Sequence, residues 1–320
     1  MNPSINSVLN FDTMVWPWPI AIYLFLAGVS AGSVMIAMAV KRYREHQGQV
    51  VADSGIIKAM ALIAPVSVIL GLGILIIDLT KPLEFWKMMI YWNPTSVMFW
   101  GVMVLSVYIV VLFLYMAAIF HQPLMVFGRR FPVVGNLLNL VKRLEGAMQW
   151  VLLLLAVALG AYTGFLLSAL KGFPLLNNPV LPVLFLVSGI SSGAAATILF
   201  SLLCFKESAH SDDIHFVHVL EKPVLMTEIF LLITFFLGLV FAGGASAEAA
   251  RVALMGEFWS TVFWVLVVFC GMVLPWILQW TLPKQLTAKS GFVAALCLLS
   301  LTGVFALRHF VLYAGQMTVA

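Results

Sequence analysis

Four polar side chains interrupt otherwise apolar stretches at comparable depth in the chain's apolar runs: Tyr23, Asp78, Tyr162 and Arg308. Phenols donate hydrogen bonds to ring oxygens, a carboxylate takes up a proton, and a guanidinium holds a carboxylate or a carbonyl. That combination suits a redox carrier that exchanges protons as it gives or takes electrons. Trp18, five residues before Tyr23, and Lys81, three residues after Asp78, fall on the same side and join the set as candidate contacts. Each member also has a plainer role. Asp78 can pair with Lys81 in interfacial water, Arg308 can snorkel to lipid headgroups, and each tyrosine can pack with its hydroxyl satisfied. Glu228 stands apart: it is either the solvated start of a helix, where an acid suits the dipole, or the mouth of a proton path from the other side.

Other chemistries find no support. Of the six histidines, His46, His210, His215 and His218 fall in loops and His121 at a span edge, leaving His309 alone near the depth of the four. Haem held across a bundle needs pairs of buried histidines, so no haem is expected. Cys204, Cys270 and Cys297 each sit alone in apolar runs, without the spacing of a zinc or iron–sulfur ligand set. The stretch His210 to His218, with Asp212 and Asp213, reads as a solvated loop rather than a metal site. No nucleophile triad, phosphate-binding glycine loop or HExxH motif is present.

The elements that must position these residues are membrane helices. Of 320 residues, 63% are hydrophobic and 9% charged, against roughly 25% charged in a soluble domain. The bilayer is therefore the solvent, and the net charge of +4 is too scattered for a nucleic-acid partner. Eight apolar runs of spanning length centre on Phe25, Ile69, Val107, Leu154, Ala195, Phe235, Phe269 and Leu301. The polar stretch to Asn10 lacks the basic region of a cleavable signal. Twelve of the 17 Lys and Arg residues fall in the loops after spans one, three, five and seven, among them Lys41, Arg42, Arg44, Arg129, Lys142 and Lys284. By the positive-inside rule both termini face away from the cytoplasm. Trp16, Trp18, Trp86, Trp92 and Trp259 then belong to the outer interface, Trp276 and Trp280 to the inner one.

An internal pattern accompanies this topology. Span one reads Gly28-Val29-Ser30-Ala31-Gly32 and span five Gly189-Ile190-Ser191-Ser192-Gly193, while spans four and eight share Thr163-Gly164 and Thr302-Gly303. The glycines are either close-packing faces between helices or the trace of a parallel repeat. A repeat would divide this all-α integral membrane protein into two four-helix bundles, residues 1–170 with the carrier site and residues 171–320.

Several longer strings follow in order: Trp16-Pro17-Trp18-Pro19-Ile20-Ala21-Ile22-Tyr23 running into Gly28 and Gly32; Asp78-Leu79-Thr80-Lys81-Pro82 with Phe85-Trp86; Asn93-Pro94-Thr95-Ser96 with Met98 and Trp100-Gly101; Tyr162-Thr163-Gly164; Leu184 to Gly189; and Arg308 with Ala314-Gly315-Gln316. Together they resemble the membrane subunits of polysulfide reductase and cytochrome c nitrite reductase systems, the NrfD type, through nearly the whole chain. The opening string looks closer to the nitrite reductase branch. The resemblance implies an eight-span protein of the bacterial cell membrane that oxidises or reduces a quinone, menaquinone or ubiquinone, near the outer face. Electrons would pass to or from a ferredoxin-like iron–sulfur subunit and through it a terminal reductase, with no haem or cluster in this chain, and quinol oxidation is the leading reading. It also implies a quinone headgroup between the first four helices, with Tyr162 among its contacts. Tyr23 and Ile20 stand where the polysulfide reductase member has a histidine and an asparagine. On this reading Asp78 accepts protons, and residues 81–96 and 245–260 are docking surfaces. A secondary transporter and a passive anchor for a redox complex are the competing functions.

Overall fold

The computed structural model describes residues 16–51, 54–79, 81–90, 93–256, 258–283 and 289–318, with all their side chains save those of Met88, Phe127, Arg129 and Trp280. The expectations placed on the first ten residues, on Thr80, Trp92 and Lys284, and on the side chains of Arg129 and Trp280 lie outside it. Among the described residues eight helices are long and apolar enough to cross a membrane: α1 (Trp18–His46), α2 (Gly55–Asp78), α3 (Val97–Ile119), α4 (Glu145–Ser168), α5 (Leu181–Cys204), α6 (Asp212–Ala242), α7 (Phe258–Gln279) and α8 (Ser290–Gly315). At 22 to 31 residues each and 1.5 Å per residue, all exceed the roughly 30 Å of a hydrocarbon core. No span is left short.

Local chemistry sets several helix ends. Pro17 is extended and Pro19 takes an early helical position of α1, where its missing N–H costs nothing. Ser54 and Ser211 cap α2 and α6, their hydroxyls accepting from the Ile57 and Ile214 amides. Asn93 accepts from the Thr95 amide and hydroxyl, and the Trp100 indole donates to the Pro94 carbonyl at 2.9 Å. The start of α3 is fixed in this way. In α7 the middle stretch Val262–Val273 winds as a π-helix, a geometry that recurs at functional sites.

α1 and α5 are the most buried spans, and they pack against each other. The spaced glycines make this contact. A Cβ at Gly32 would collide with the Gly189 carbonyl, and one at Gly193 with the backbone of Gly32 and Ser33. Gly164 lies as closely against Pro182 of α5, and Gly303 against Gly271 of α7. In each half the first helix packs on the second and fourth, and the third on the fourth. One hydrophobic cluster nevertheless runs through both halves, so they share a core.

The first and last described segments meet at one end of the bundle. There the Trp16 amide donates to Gln316 Oε1 at 2.9 Å, and Gln316 Nε2 donates to the Trp16 carbonyl at 3.0 Å. The opposite, basic end is tied by ions: Lys41 and Lys142 meet Glu145 at 2.7 and 2.6 Å, and Arg44 meets Asp213 at 2.7 Å. Nearby, burial, with Asp213 adding to it, pushes the Glu207 carboxyl above the usual carboxylate range. Between α3 and α4 the basic loop folds into two short helices, His121–Arg130 and Pro132–Arg143, backed against each other at Gly128 and Gly135. The second of these leaves Val133 and Leu137 exposed, as suits a helix lying in a membrane interface.

Candidate functional site

α1 to α4 surround a cavity of about 480 Å³ near the end opposite the basic loops. Its walls are apolar, from Ile20, Leu72, Leu75, Met98, Leu105 and Leu166, and Phe85 and Met89 of the α2–α3 connection close its end. The wall thins between α2 and α3: Met98 and Val110 line the cavity yet are also exposed on the helix bundle's outer surface. A flat lipid-soluble ring can reach it sideways from the bilayer.

Three of the residues anticipated from sequence line this cavity: Tyr23, Asp78 and Tyr162. Tyr23 is buried, its ring against Gly71 of α2. Tyr162 crosses from α4 to lie over Gly101 of α3, occupying the space a side chain there would need. The two phenols are within electrostatic reach of each other. Among the described residues neither hydroxyl has a protein hydrogen-bond partner, so both remain free to bond a ligand. Asp78, the last residue of α2, is exposed at the rim. The site can therefore grip a ring by its oxygens and place a solvated carboxylate beside it.

The other anticipated contacts lie elsewhere. Trp18 is outside the cavity and 46% exposed, while Trp16 lines it. Helix α1 begins at Trp18, so its side chain follows the helical turn rather than the extended chain that carries Trp16 and Pro17 into the cavity lining. Lys81 is exposed, does not line the cavity, and lies beyond 4 Å of Asp78's carboxylate, so the expected Asp78–Lys81 pair does not form. Arg308 neither snorkels nor reaches the cavity. It is wholly buried where α8 meets α1 and α5, Nη2 donating to the Phe185 carbonyl at 2.8 Å and the guanidinium lying 3.7 Å from the Phe185 ring centre. Glu228 is also buried, in the middle of α6 rather than at its start. The residues missed from sequence are Trp16, Gly71 and Gly101. The sequence alone carried no signal for them: only the packing of α2 and α3 against α1 and α4 sets Gly71 and Gly101 against the two tyrosines.

Fold and cavity define a multi-pass membrane protein with an intramembrane cavity in its first half. The family described as Polysulphide reductase, NrfD, matches residues 6–320, and the chain belongs to it. It is 45% identical over 321 residues to Protein NrfD of Escherichia coli (strain K12), covering 98% of this chain and 99% of the relative. To the C subunit of polysulfide reductase from Wolinella succinogenes it is 42% identical over 319 residues, covering the full length of both proteins. A more distant relative, 23% identical over 315 residues, is the Hdr-like menaquinol oxidoreductase integral membrane subunit of Archaeoglobus fulgidus, covering 94% of this chain and 71% of the relative.

Proposed function

We propose that this chain is the quinol-oxidising membrane subunit of a respiratory reductase complex, with menaquinol or ubiquinol held in the α1–α4 cavity. The observation that carries the reading is the pair of unpartnered phenols, Tyr23 and Tyr162, facing one apolar chamber with a gap towards lipid. The Archaeoglobus relative is named for menaquinol, which supports the ligand class, and the Wolinella relative for a reductase, which supports the destination of the electrons. Bound quinol supplies two electrons and two protons. Tyr23 and Tyr162 orient its oxygens by hydrogen bonds, the walls exclude water, and Asp78 accepts protons at the rim and passes them to bulk solvent.

Residues 1–170 then form the quinol-oxidising half, and residues 171–320 support it. The basic end faces the cytoplasm by charge bias, so the termini and the cavity face outward in the bacterial cell membrane. Residues 81–90, 93–96 and 245–256 lie outside the spanning helices, and Leu83, Trp86, Ile90 and Met255 are exposed there. An exposed apolar patch outside the bilayer suits a docking subunit, here one carrying the iron–sulfur clusters that take electrons to the terminal reductase. Replacing Asp78 by Asn is expected to slow quinol oxidation by the assembled complex about tenfold or more, in the range general-base losses reach, while the partner still co-purifies. Unchanged turnover would remove Asp78 from proton transfer.

A further inference from the structure

The second half holds polar groups that quinol oxidation does not use. Glu228 and Arg308 are both buried, and they form no direct ion pair within 4 Å. Glu228 Oε1 and Arg308 Nε and Nη1 make no hydrogen bond to protein. Buried polar atoms without partners call for a ligand or water.

Space for water lies next to them. α6 and α7 meet through the ring edges of Phe236 and Phe263, 5.3 Å between centres, but towards the basic end a cavity of about 200 Å³ parts them. Its mouth carries His218, Glu221, Lys222 and Gln279, and Cys297 lies in its wall. His218 Nδ1 and Glu221 Oε2 are 2.8 Å apart. A second cavity, about 10 Å³, contains Glu228 and shares Ser191, Gly271, Met272 and Ser300 with the first. That is about the volume one water needs. Ser191 and Ser300 have no protein hydrogen-bond partner among the described residues, so hydroxyls and a carboxylate surround the water position.

We propose that these joined cavities are a water-filled proton passage that opens at the basic end and stops at Glu228. A proton relayed through the water forms an O–H bond with a Glu228 carboxylate oxygen, and the last water carrier is left neutral. No oxidant is needed. Glu228 is thus the inner terminus of the passage, and His218 with Glu221 its mouth. Arg308 Nη2 would lie 3.5 Å from a Cβ at Gly28, five residues along α1 from Tyr23 or roughly 7.5 Å of helix rise. The passage and the quinol cavity share no lining residue.

The test uses the full chain in lipid vesicles without quinol, so its outcome is separate from that of the quinol reading. In a chain whose Cys204, Cys270 and Cys297 are replaced by Ala, a charged methanethiosulfonate reagent that cannot cross lipid is applied to Leu225→Cys, in the passage wall, and to Ile233→Cys, 54% exposed on the same helix but towards lipid. Reagent at the basic side should modify L225C about tenfold or more faster than I233C, since lipid excludes charge. No reaction at L225C, or reaction only from the other side, overturns the passage. In infrared spectra, E228Q should remove a protonated-carboxyl band that in the unaltered chain exchanges readily with D₂O. A band that survives E228Q, or resists exchange, removes Glu228 as the terminus.

Discussion

Replacing Asp213 by Ala should lower the protein's stability by about 3 kcal/mol, the low end for breaking a buried ion pair. The Asp213 carboxylate is fully buried and accepts from Arg44 Nε at 2.7 and 2.9 Å and from the Ser54 hydroxyl. Arg44 in turn donates to the Val50 carbonyl at 2.6 Å, and Ser54 caps α2. One carboxylate therefore joins the end of α1, the α1–α2 link and the starts of α2 and α6, across both halves. Its loss strands a cation and a hydroxyl together. Arg44 retains 14% side-chain exposure, so water can partly solvate it, which keeps the cost at the low end. Asp213→Asn preserves shape and one acceptor and should cost about half as much. Denaturant titration in detergent measures both; a loss in Asp213→Ala within experimental scatter of zero would show that the latch carries no stability.

A comparable effect, on binding rather than folding, is expected of Gly101→Leu. Any Cβ at this position overlaps the Tyr162 ring and hydroxyl, so the ring must swing into the cavity or α3 must leave α4. Either displaces the Tyr162 phenol proposed to bond the ligand. Affinity for a quinol analogue should fall by about 100-fold, equivalent to roughly 3 kcal/mol. Gly73→Leu is the control, because a Cβ there meets nothing within 4 Å. Analogue binding followed by quenching of tryptophan fluorescence separates the two variants, and equal affinities would mean that Tyr162 does not shape the site.

The spans were legible because apolar length is a local property, and bilayer thickness sets its threshold. Tyr23, Asp78 and Tyr162 could be grouped for the same reason: each lies near one end of its span, and depth follows from counting along the run. Facing direction could not be counted. Whether Arg308 turns to lipid or to the core depends on what α8 packs against, and Gly28 and Phe185 are distant in sequence. Glu228 was misplaced because Lys222 and Pro223 resemble the edge of a span, whereas α6 begins at Asp212 and continues through Pro223. Proline is tolerated inside membrane helices, so Pro223 marked no end. The basic latch was hidden differently. Asp213 looked like part of a solvated loop, and only the meeting of α1, α2 and α6 buries it.

The central claim, a quinol site between α1 and α4, is tested most directly by titrating the purified chain with a quinol-analogue inhibitor, alongside Tyr23→Phe, Tyr162→Phe and the double variant. Saturable, near-stoichiometric binding is expected, weakened about fivefold by each lost hydroxyl, or roughly 1 kcal/mol, and further in the double variant. Binding of unchanged strength in the double variant, or none in the folded unaltered chain, would contradict it.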